Sequence, residues 1–362
     1  MTMFNLAKAV ADLLSPEFAV ISVFPVGTHS HEMTLSLELE DEISVTARVG
    51  FDTDKDPAAL RWLQRKFARE IASLSYLENN APFIPVPYVI QVDANTDNAV
   101  RAPYVVVENP LGEPLVNAIP DLTLPQRETL AIALGESLAR LHRLGPLPAK
   151  YGSLTGTDSR GVPVVGPLAR SWGQSSRAEG PFENIKQYLS TELAHYSRVA
   201  QSDPKATPAV QALLAKLGTL LPYLIPNDAA MQRPALSYSD LRDTSIFASE
   251  DGSLGGIAGM EATILPACLA ATLPVFLRRD GMYNRAYKDP ARADRTLLSD
   301  TEAQHLRNIC IDASRRVDPA FYVALVKGEK IRQMLEFLST SNWEGLWRWD
   351  GDVRRELGLG GR

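Results

Sequence analysis

Cysteine is scarce in this sequence, since its 362 residues include only Cys268 and Cys310. Two thiols cannot build a disulfide framework, and no Cys/His spacing typical of a zinc site accompanies them. Basic residues are not in excess either: the formal net charge is -6, whereas nucleic-acid-binding domains usually carry a basic stripe. We therefore expect reduced, buried thiols in a cytoplasmic protein that has no nucleic-acid partner.

Long apolar runs are missing as well. The longest, residues 262–277, falls short of the roughly 20 residues that span a bilayer, and it contains two prolines. The first 18 residues carry Lys8 and Asp12 within an apolar pattern, which is typical of an amphipathic helix and not of a signal peptide. These features predict that the protein has no membrane partner.

Alternating apolar and polar residues dominate the first part of the chain. Residues 19–50 predict strands with a turn near 40–42. Asp56 and Pro57 then begin a helix that runs to residue 80, with apolar positions at three- and four-residue steps. Two further strands are predicted at 84–93 and 102–110, the second so apolar that we expect it in the centre of the sheet. Residues 1–108 are thus predicted to form a β-rich lobe with one helix.

The character of the sequence changes after a Pro/Gly connector at residues 109–115, which we predict to be a hinge. Residues 116–362 are predicted to form a larger, mainly helical lobe. Its predicted segments are helices at 123–145, 182–200, 207–224, 301–314 and 319–339, an irregular excursion at 146–180, a short hairpin at 251–263 and a packed C-terminal helix around 342–351. The fold class predicted from this order is α+β with two lobes.

Five segments carry a resemblance to one known family. They are SVTARV (44–49), KFAREIASLSYL (66–77), PYVVVENPLGEPL (103–115), LGESLARLHRLGPL (134–147) and ILPACLAATLPVFLRRDG (264–281). In this order they resemble the aminoglycoside phosphotransferase family, and most of all its fungal branch. The resemblance implies a protein-kinase-like fold with a small, mostly antiparallel sheet. It also implies a pair of nucleotide-lobe residues, Arg48 and Glu70, that would bind the phosphates if a nucleotide binds.

The two catalytic motifs of that family are altered. Its catalytic loop reads His-Gly-Asp-Leu-His-x-x-Asn, whereas residues 238–245 read YSDLRDTS. Asp240 keeps the place of the catalytic aspartate, and Ser245 replaces the magnesium-binding asparagine. The later Ile-Asp-Trp-Glu motif is AGME at 258–261, so that Gly259 stands where the principal metal-binding aspartate belongs.

These replacements remove oxygen ligands that a hard cation prefers. Their loss takes several kcal/mol, in order of magnitude, from metal-assisted transition-state stabilisation. Asp243 is only a weak candidate for a displaced ligand. The turn FPVGTHSHEM also has a single glycine, Gly27, whereas phosphate-cradling loops use several. We therefore predict no metal site and favour no cofactor.

Three functions remain open, and we favour the first. In it the protein is a repurposed small-molecule tailoring enzyme of a biosynthetic pathway. A small organic molecule binds in the interlobe cleft, and Asp240, assisted by Tyr238, Arg242 and Glu261, performs acid–base chemistry such as cyclisation, dehydration or isomerisation without ATP. The alternative role for Asp240 is that of a carboxylate that stabilises its own loop.

The second function is an ATP- and magnesium-dependent small-molecule phosphotransferase in which Asp243 or Glu261 acts as a relocated metal ligand. There Arg48 and Glu70 would position the phosphates, although such an ion pair between a strand and a helix also holds a lobe together. The third function is a pseudokinase-like protein that binds a ligand or partner without catalysis.

Overall fold

The computed structural model describes residues 3–14, 20–29, 31–40, 44–51, 56–168, 179–238, 241–259, 261–277 and 298–359. An antiparallel five-stranded sheet forms the first lobe, with the strand order β1-β2-β3-β5-β4. In chain order the strands are β1 (Val20–His29), β2 (Glu32–Leu39), β3 (Ser44–Gly50), β4 (Val89–Asp93) and β5 (Tyr104–Glu108). The apolar strand β5 is interior, as its sequence predicts.

One face of this sheet is covered by the N-terminal helix α1 (Met3–Leu14). Strand β2 alternates strictly, so that Met33, Leu35 and Leu37 are fully buried on this face while the residues between them point to the other. Val10 and Leu14 of α1 belong to the same apolar cluster. The period-two pattern of the sequence therefore fixes which residues of β2 and β3 face away from α1.

The opposite face carries helix α2 (Pro57–Asn80). The side chain of Asp56 accepts hydrogen bonds from the first backbone N–H groups of the helix, as its sequence predicts. Leu63 and Phe67 of α2 are fully buried in a cluster with Val105 and Val107 of β5, and this cluster continues into the second lobe. The face that carries Arg48 is thus the one that faces α2 and the second lobe.

After β5, the short strand β6 (Glu113–Pro114) pairs with β10 (Ile246–Ala248), which also pairs with β11 (Leu254–Ile257). Helices build most of the rest of the lobe. In chain order they are α3 (Leu115–Ala118), α4 (Leu124–Arg143), α5 (Ile185–Ser202), α6 (Pro208–Leu217), α7 (Leu221–Leu224), α8 (Ala229–Gln232), α9 (Ala267–Ala270), α10 (Asp300–Val317), α11 (Pro319–Lys327), α12 (Glu329–Ser339) and α13 (Trp343–Glu356). No helix among the described residues is long and apolar enough to cross a membrane.

Two local predictions for the second lobe are wrong. Part of the excursion 146–180 forms strands β7 (Gly152–Thr157) and β8 (Pro163–Gly166). They join β9 (Pro234–Tyr238) and β12 (Ala262–Pro266) in a sheet of order β8-β7-β12-β9. The predicted hairpin 251–263 does not form, because β11 pairs with β10 while β12 pairs with β9 and β7. The partners of β12 lie far from it in sequence, where local periodicity carries no signal, whereas β7–β8 and β10–β11 are local pairs.

The predicted boundaries 1–108, 109–115 and 116–362 stay predictions. In the structure the chain leaves β5 at Glu108 and enters α3 at Leu115. The C-terminal prediction is confirmed, since Trp343 and Trp349 of α13 are buried in the large apolar cluster.

Candidate functional site

Arg48 and Glu70 form an ion pair on the inner side of the first lobe. Arg48 lies on β3 and donates a hydrogen bond from Nη2 to Oε1 of Glu70 on α2. Its Nη1 is 3.9 Å from Oε1 of Glu32, and its guanidinium carbon lies 5.9 Å from the ring centroid of Phe67. Burial lowers the pKa of Arg48, but the carboxylates of Glu70 and Glu32 outweigh that effect and raise the pKa. Arg48 is therefore a largely buried cation, with its side chain 13% exposed, held between two carboxylates.

Two further ion pairs extend this arrangement. Lys66 Nζ lies 2.5 Å from Glu32 Oε2, and Arg69 Nε donates to Oε2 of Glu261 at 3.0 Å. Glu261 directly precedes β12, so this second pair joins α2 to the second lobe. We call the set of Glu32, Arg48, Lys66, Arg69, Glu70 and Glu261 the cleft charge cluster. Its three cations are each bonded to a carboxylate of the set, so the charges of its members cancel.

The two altered metal positions lie side by side. Ala258 N–H donates to Ser245 O at 2.8 Å, which brings Gly259 next to Ser245. Ser245 Oγ accepts from the N–H of Arg242 at 3.1 Å and donates to the carbonyl oxygen of Arg242 at 3.0 Å. The serine hydroxyl therefore stabilises its own turn, where an asparagine would offer an amide oxygen to a metal.

Gly259 adopts a left-handed backbone conformation, with φ at +67°, and apart from its chain neighbours no atom of the described residues lies within 4 Å of the position that a Cβ would take. The position has room for a side chain and lacks one. Among the residues that the structure describes, no group of three His, Cys, Asp or Glu side chains could hold a metal ion. The residues at 245 and 259 do not fit a magnesium ion, because neither supplies an anionic oxygen.

The predicted catalytic residues occupy different environments. Tyr238 ends β9 and pairs across the sheet with Ala262; its hydroxyl is buried without a hydrogen-bond partner among the described residues. Burial raises the pKa of Tyr238 well above 10, so the phenol stays protonated at neutral pH. It can donate a proton or hydrogen bond, but it does not supply a base.

The remaining predicted residues differ in their exposure to solvent. The side chain of Arg242 is exposed, whereas Asp243 is buried, and its carbonyl oxygen accepts from the N–H of Val116 at 3.2 Å. Asp240 lies outside the described residues, as does Met260. The structure therefore brings Arg48 and Glu70 together and places Glu261 against Arg69. The predicted catalytic roles of Asp240, Tyr238, Arg242 and Glu261 stay predictions.

Glu32, Lys66 and Arg69 belong to the site but were not predicted from the sequence. The buried stripe of α2 runs through Phe67 and Glu70 at the expected helical spacing, and this spacing singles out Glu70. Arg69 is the neighbouring residue in sequence, and its partner is 192 positions away. Nothing in the local pattern indicates that pairing.

Comparisons with known proteins identify the family of the chain and its fold. The model of a family described as "Phosphotransferase enzyme family" matches residues 53–257. The sequence is 23% identical over 318 residues to "Clavilactone A biosynthesis cluster protein Y" of Ampulloclitocybe clavipes, covering 84% of this chain and 76% of that protein.

Two solved structures are similar in fold. A candidate fructosamine-3-kinase of Thermobifida fusca superimposes with a TM-score of 0.59 and 17% identity, covering 94% of this chain and 93% of its own. A thermostable mutant of aminoglycoside phosphotransferase APH(4)-Ia, in a ternary complex with AMP-PNP and hygromycin B, gives a TM-score of 0.53 and 13% identity, covering 98% and 100%. These likenesses confirm the two-lobed, kinase-like α+β fold.

Proposed function

Because the chain belongs to the phosphotransferase enzyme family, we propose that it is a small-molecule tailoring enzyme whose reaction is not phosphoryl transfer from ATP. The observation that carries this proposal is the pair of adjacent positions 245 and 259. One is a glycine, and the other is a serine whose hydroxyl is bonded to the backbone of Arg242. Phosphoryl transfer depends on positioning and on metal charge at this place, and these residues offer the metal no carboxylate, only a neutral hydroxyl that is bonded to the backbone.

The cleft charge cluster supports the same proposal. The cations Arg48, Lys66 and Arg69 are matched by an equal number of carboxylates, so the set offers a triphosphate no net positive charge, although an ion pair like that of Arg48 and Glu70 is also found in active kinases. A polyanion would have to compete with these carboxylates. A ligand with little net charge meets no such competition, and we therefore propose an organic substrate of low charge.

The biosynthesis-cluster relative supports a role in a biosynthetic pathway. In the proposed reaction Asp240 transfers a proton within the substrate, as in a cyclisation, dehydration or isomerisation, and none of these needs a further reactant. Tyr238 remains a neutral phenol and acts as a hydrogen-bond donor. Glu261, bonded to Arg69, positions α2 against the second lobe, and Arg242 is exposed at the same loop.

The proposal is tested with the substrate that accumulates when the gene is deleted in the organism that makes the protein. The purified protein should convert this compound in the presence of EDTA and without nucleotide. Asp240→Asn should abolish conversion, whereas the matched variant Asp251→Asn, on an exposed turn, should retain it. Conversion that requires ATP and magnesium, with a product heavier by one phosphoryl group, would contradict the proposal.

A phosphotransferase is the second candidate, and the intact Arg48–Glu70 pair favours it. In this function Asp243 or Glu261 would have to replace the missing ligands. Glu261 would first have to leave Arg69. Loss of ATP turnover in both Asp243→Ala and Glu261→Ala would support this candidate, and unchanged turnover in both would exclude these two carboxylates as ligands.

A further inference from the structure

A groove of about 730 Å³ lies on the second lobe between α5, α6 and α7. Its volume is within the range of small-molecule sites. Four apolar side chains form its floor, and each is at least nine-tenths buried: Ile185, Leu193, Leu214 and Leu221. The groove therefore offers an apolar surface without any rearrangement of the helices.

This groove is distinct from the cleft. Gln232, which lines it, comes just before β9, and Tyr238 stands at the other end of that strand. Five strand residues span about 16 Å. No member of the cleft charge cluster lines the groove. A ligand bound here would not depend on the chemistry proposed for Asp240.

Among the described residues that line the groove, one is charged: the exposed Lys186, near the start of α5. The neighbouring Glu183 pairs with Lys150 at 3.2 Å, and no carboxylate among the described residues forms an ion pair with Lys186. The other polar lining residues are amides and hydroxyls: Asn184, Ser190, Ser197, Asn227 and Gln232. In a protein with a net charge of -6, this is a local site for one negative charge beside an apolar surface.

We propose that the groove binds an amphipathic organic anion, with its apolar body on the apolar floor of the groove and its carboxylate beside Lys186. The inference goes beyond the function proposed for the cleft and does not rest on it. A neutral apolar molecule would use the floor alone, and an inorganic anion would use the lysine alone. The combination selects a molecule that carries both parts.

Displacement of the fluorescent anion 1-anilinonaphthalene-8-sulfonate tests the proposal, with octanoate and 1-octanol as competitors that differ in the carboxylate. Octanoate should displace the dye at lower concentration than 1-octanol. Lys186→Gln should weaken octanoate up to about fivefold, which is the range of a partly exposed ion pair, and should leave 1-octanol unchanged. The matched control Lys216→Gln changes an exposed lysine of α6 outside the groove and should have no effect on either.

A second experiment fills the groove with large side chains. Ala194 of α5 and Ala215 of α6 are exposed lining residues on facing helices, so that Ala194→Trp and Ala215→Trp should each block both competitors, while Asp240→Asn should block neither. Thermal unfolding identifies any variant that is not folded. Equal octanoate binding by Lys186→Gln and Lys216→Gln would overturn the role of charge. Full binding by the folded tryptophan variants, or a dimer that these variants dissociate, would overturn the site.

Discussion

On the first-lobe side of the cleft, Arg48 and Glu70 form a buried ion pair. On the second-lobe side, positions 245 and 259 lie together and carry no anionic oxygen. The ion pair has a use apart from catalysis, because it neutralises two charges buried between a strand and a helix. A side chain that binds a catalytic metal has no comparable role in stabilising the fold. The intact pair is therefore weak support for phosphoryl transfer, whereas the lost ligands bear directly on the reaction.

The largest effect is expected where one half of the buried pair is removed. Arg48→Ala leaves the buried carboxylate of Glu70 without its bonded cation, which costs about 3–5 kcal/mol of unfolding free energy. Urea denaturation of the purified variants measures this loss. It should be smaller for Glu70→Ala, because Arg48 then still lies 3.9 Å from Glu32.

The control is the double variant Arg48→Met with Glu70→Leu. It removes both charges, so it should be more stable than either single variant. A loss below about 1 kcal/mol in both single variants, at the level of an exposed ion pair, would contradict the structural role of the pair and return Arg48 to a phosphate-binding one.

The next largest loss of stability is expected for the ion pair of Arg69 and Glu261, which joins the two lobes. Arg69→Ala or Glu261→Ala should cost about 2 kcal/mol, as expected for a hydrogen bond between charged groups. The side chains of the pair are 11% and 17% exposed. The pair of Arg127 and Glu302, which are 18% and 23% exposed, joins α4 to α10 and is a matched control.

Hydrogen exchange distinguishes the two pairs. Glu261→Ala should increase amide exchange in α2, because the carboxylate fixes that helix to the second lobe, whereas Glu302→Ala should leave α2 unchanged. Equal exchange in α2 for both variants would show that Glu261 does not position the helix.

A buried polar group inside the second lobe serves as a reference that is remote from any reaction. His142 Nε2 lies 3.2 Å from Ala267 O, and Nδ1 lies 3.2 Å from Asp318 Oδ2 and 3.0 Å from Nη2 of Arg233. Burial, followed by the charge of Arg233, lowers the pKa of His142 below 6.5. The unfolded chain therefore binds a proton that the folded chain does not.

Stability should accordingly fall as pH decreases below about 6.5 and until the lowered pKa is reached, with a slope of at most about 1.4 kcal/mol per pH unit. The measurement is urea denaturation between pH 7.5 and pH 5, where the limits follow from the ordinary histidine pKa of about 6.5. His142→Gln should be less stable and should show a smaller slope. If the pH dependence of the unfolding free energy is the same in His142→Gln, another titratable group causes the loss of stability between pH 7.5 and pH 5.

The smallest stability change is expected at the altered metal positions. In Gly259→Asp the new Cβ meets no atom of the described residues within 4 Å apart from the chain neighbours, and the left-handed backbone costs about 1 kcal/mol, which aspartate tolerates better than most residues. Combined with Ser245→Asn it should confer manganese binding in the presence of ADP, followed by electron paramagnetic resonance. Gly259→Ala has the same backbone strain without a carboxylate and should not bind manganese. If the double variant does not bind manganese, restoring these two ligands is not sufficient to form a metal site in this cleft.

The sequence predicts much of the first lobe because its signals are local. Strand alternation, the Asp56 cap and the apolar strand β5 each depend on neighbouring residues, and all of them appear in the structure. Pairing between remote segments is not local. The sheet that joins β7 to β12 was missed for this reason, as was the bond from Arg69 to Glu261. The identity of residues 245 and 259 could be taken from the sequence, but not the use of the Ser245 hydroxyl in its own turn.

Calorimetric titration of the purified protein with ATP, with and without magnesium, tests the central claim most directly. Because Gly259 and Ser245 offer no carboxylate to a metal and the charges of the cleft charge cluster cancel, we expect no magnesium-dependent binding. Micromolar binding that requires magnesium would contradict this account, and it would assign the cleft to phosphoryl transfer with ligands supplied from elsewhere.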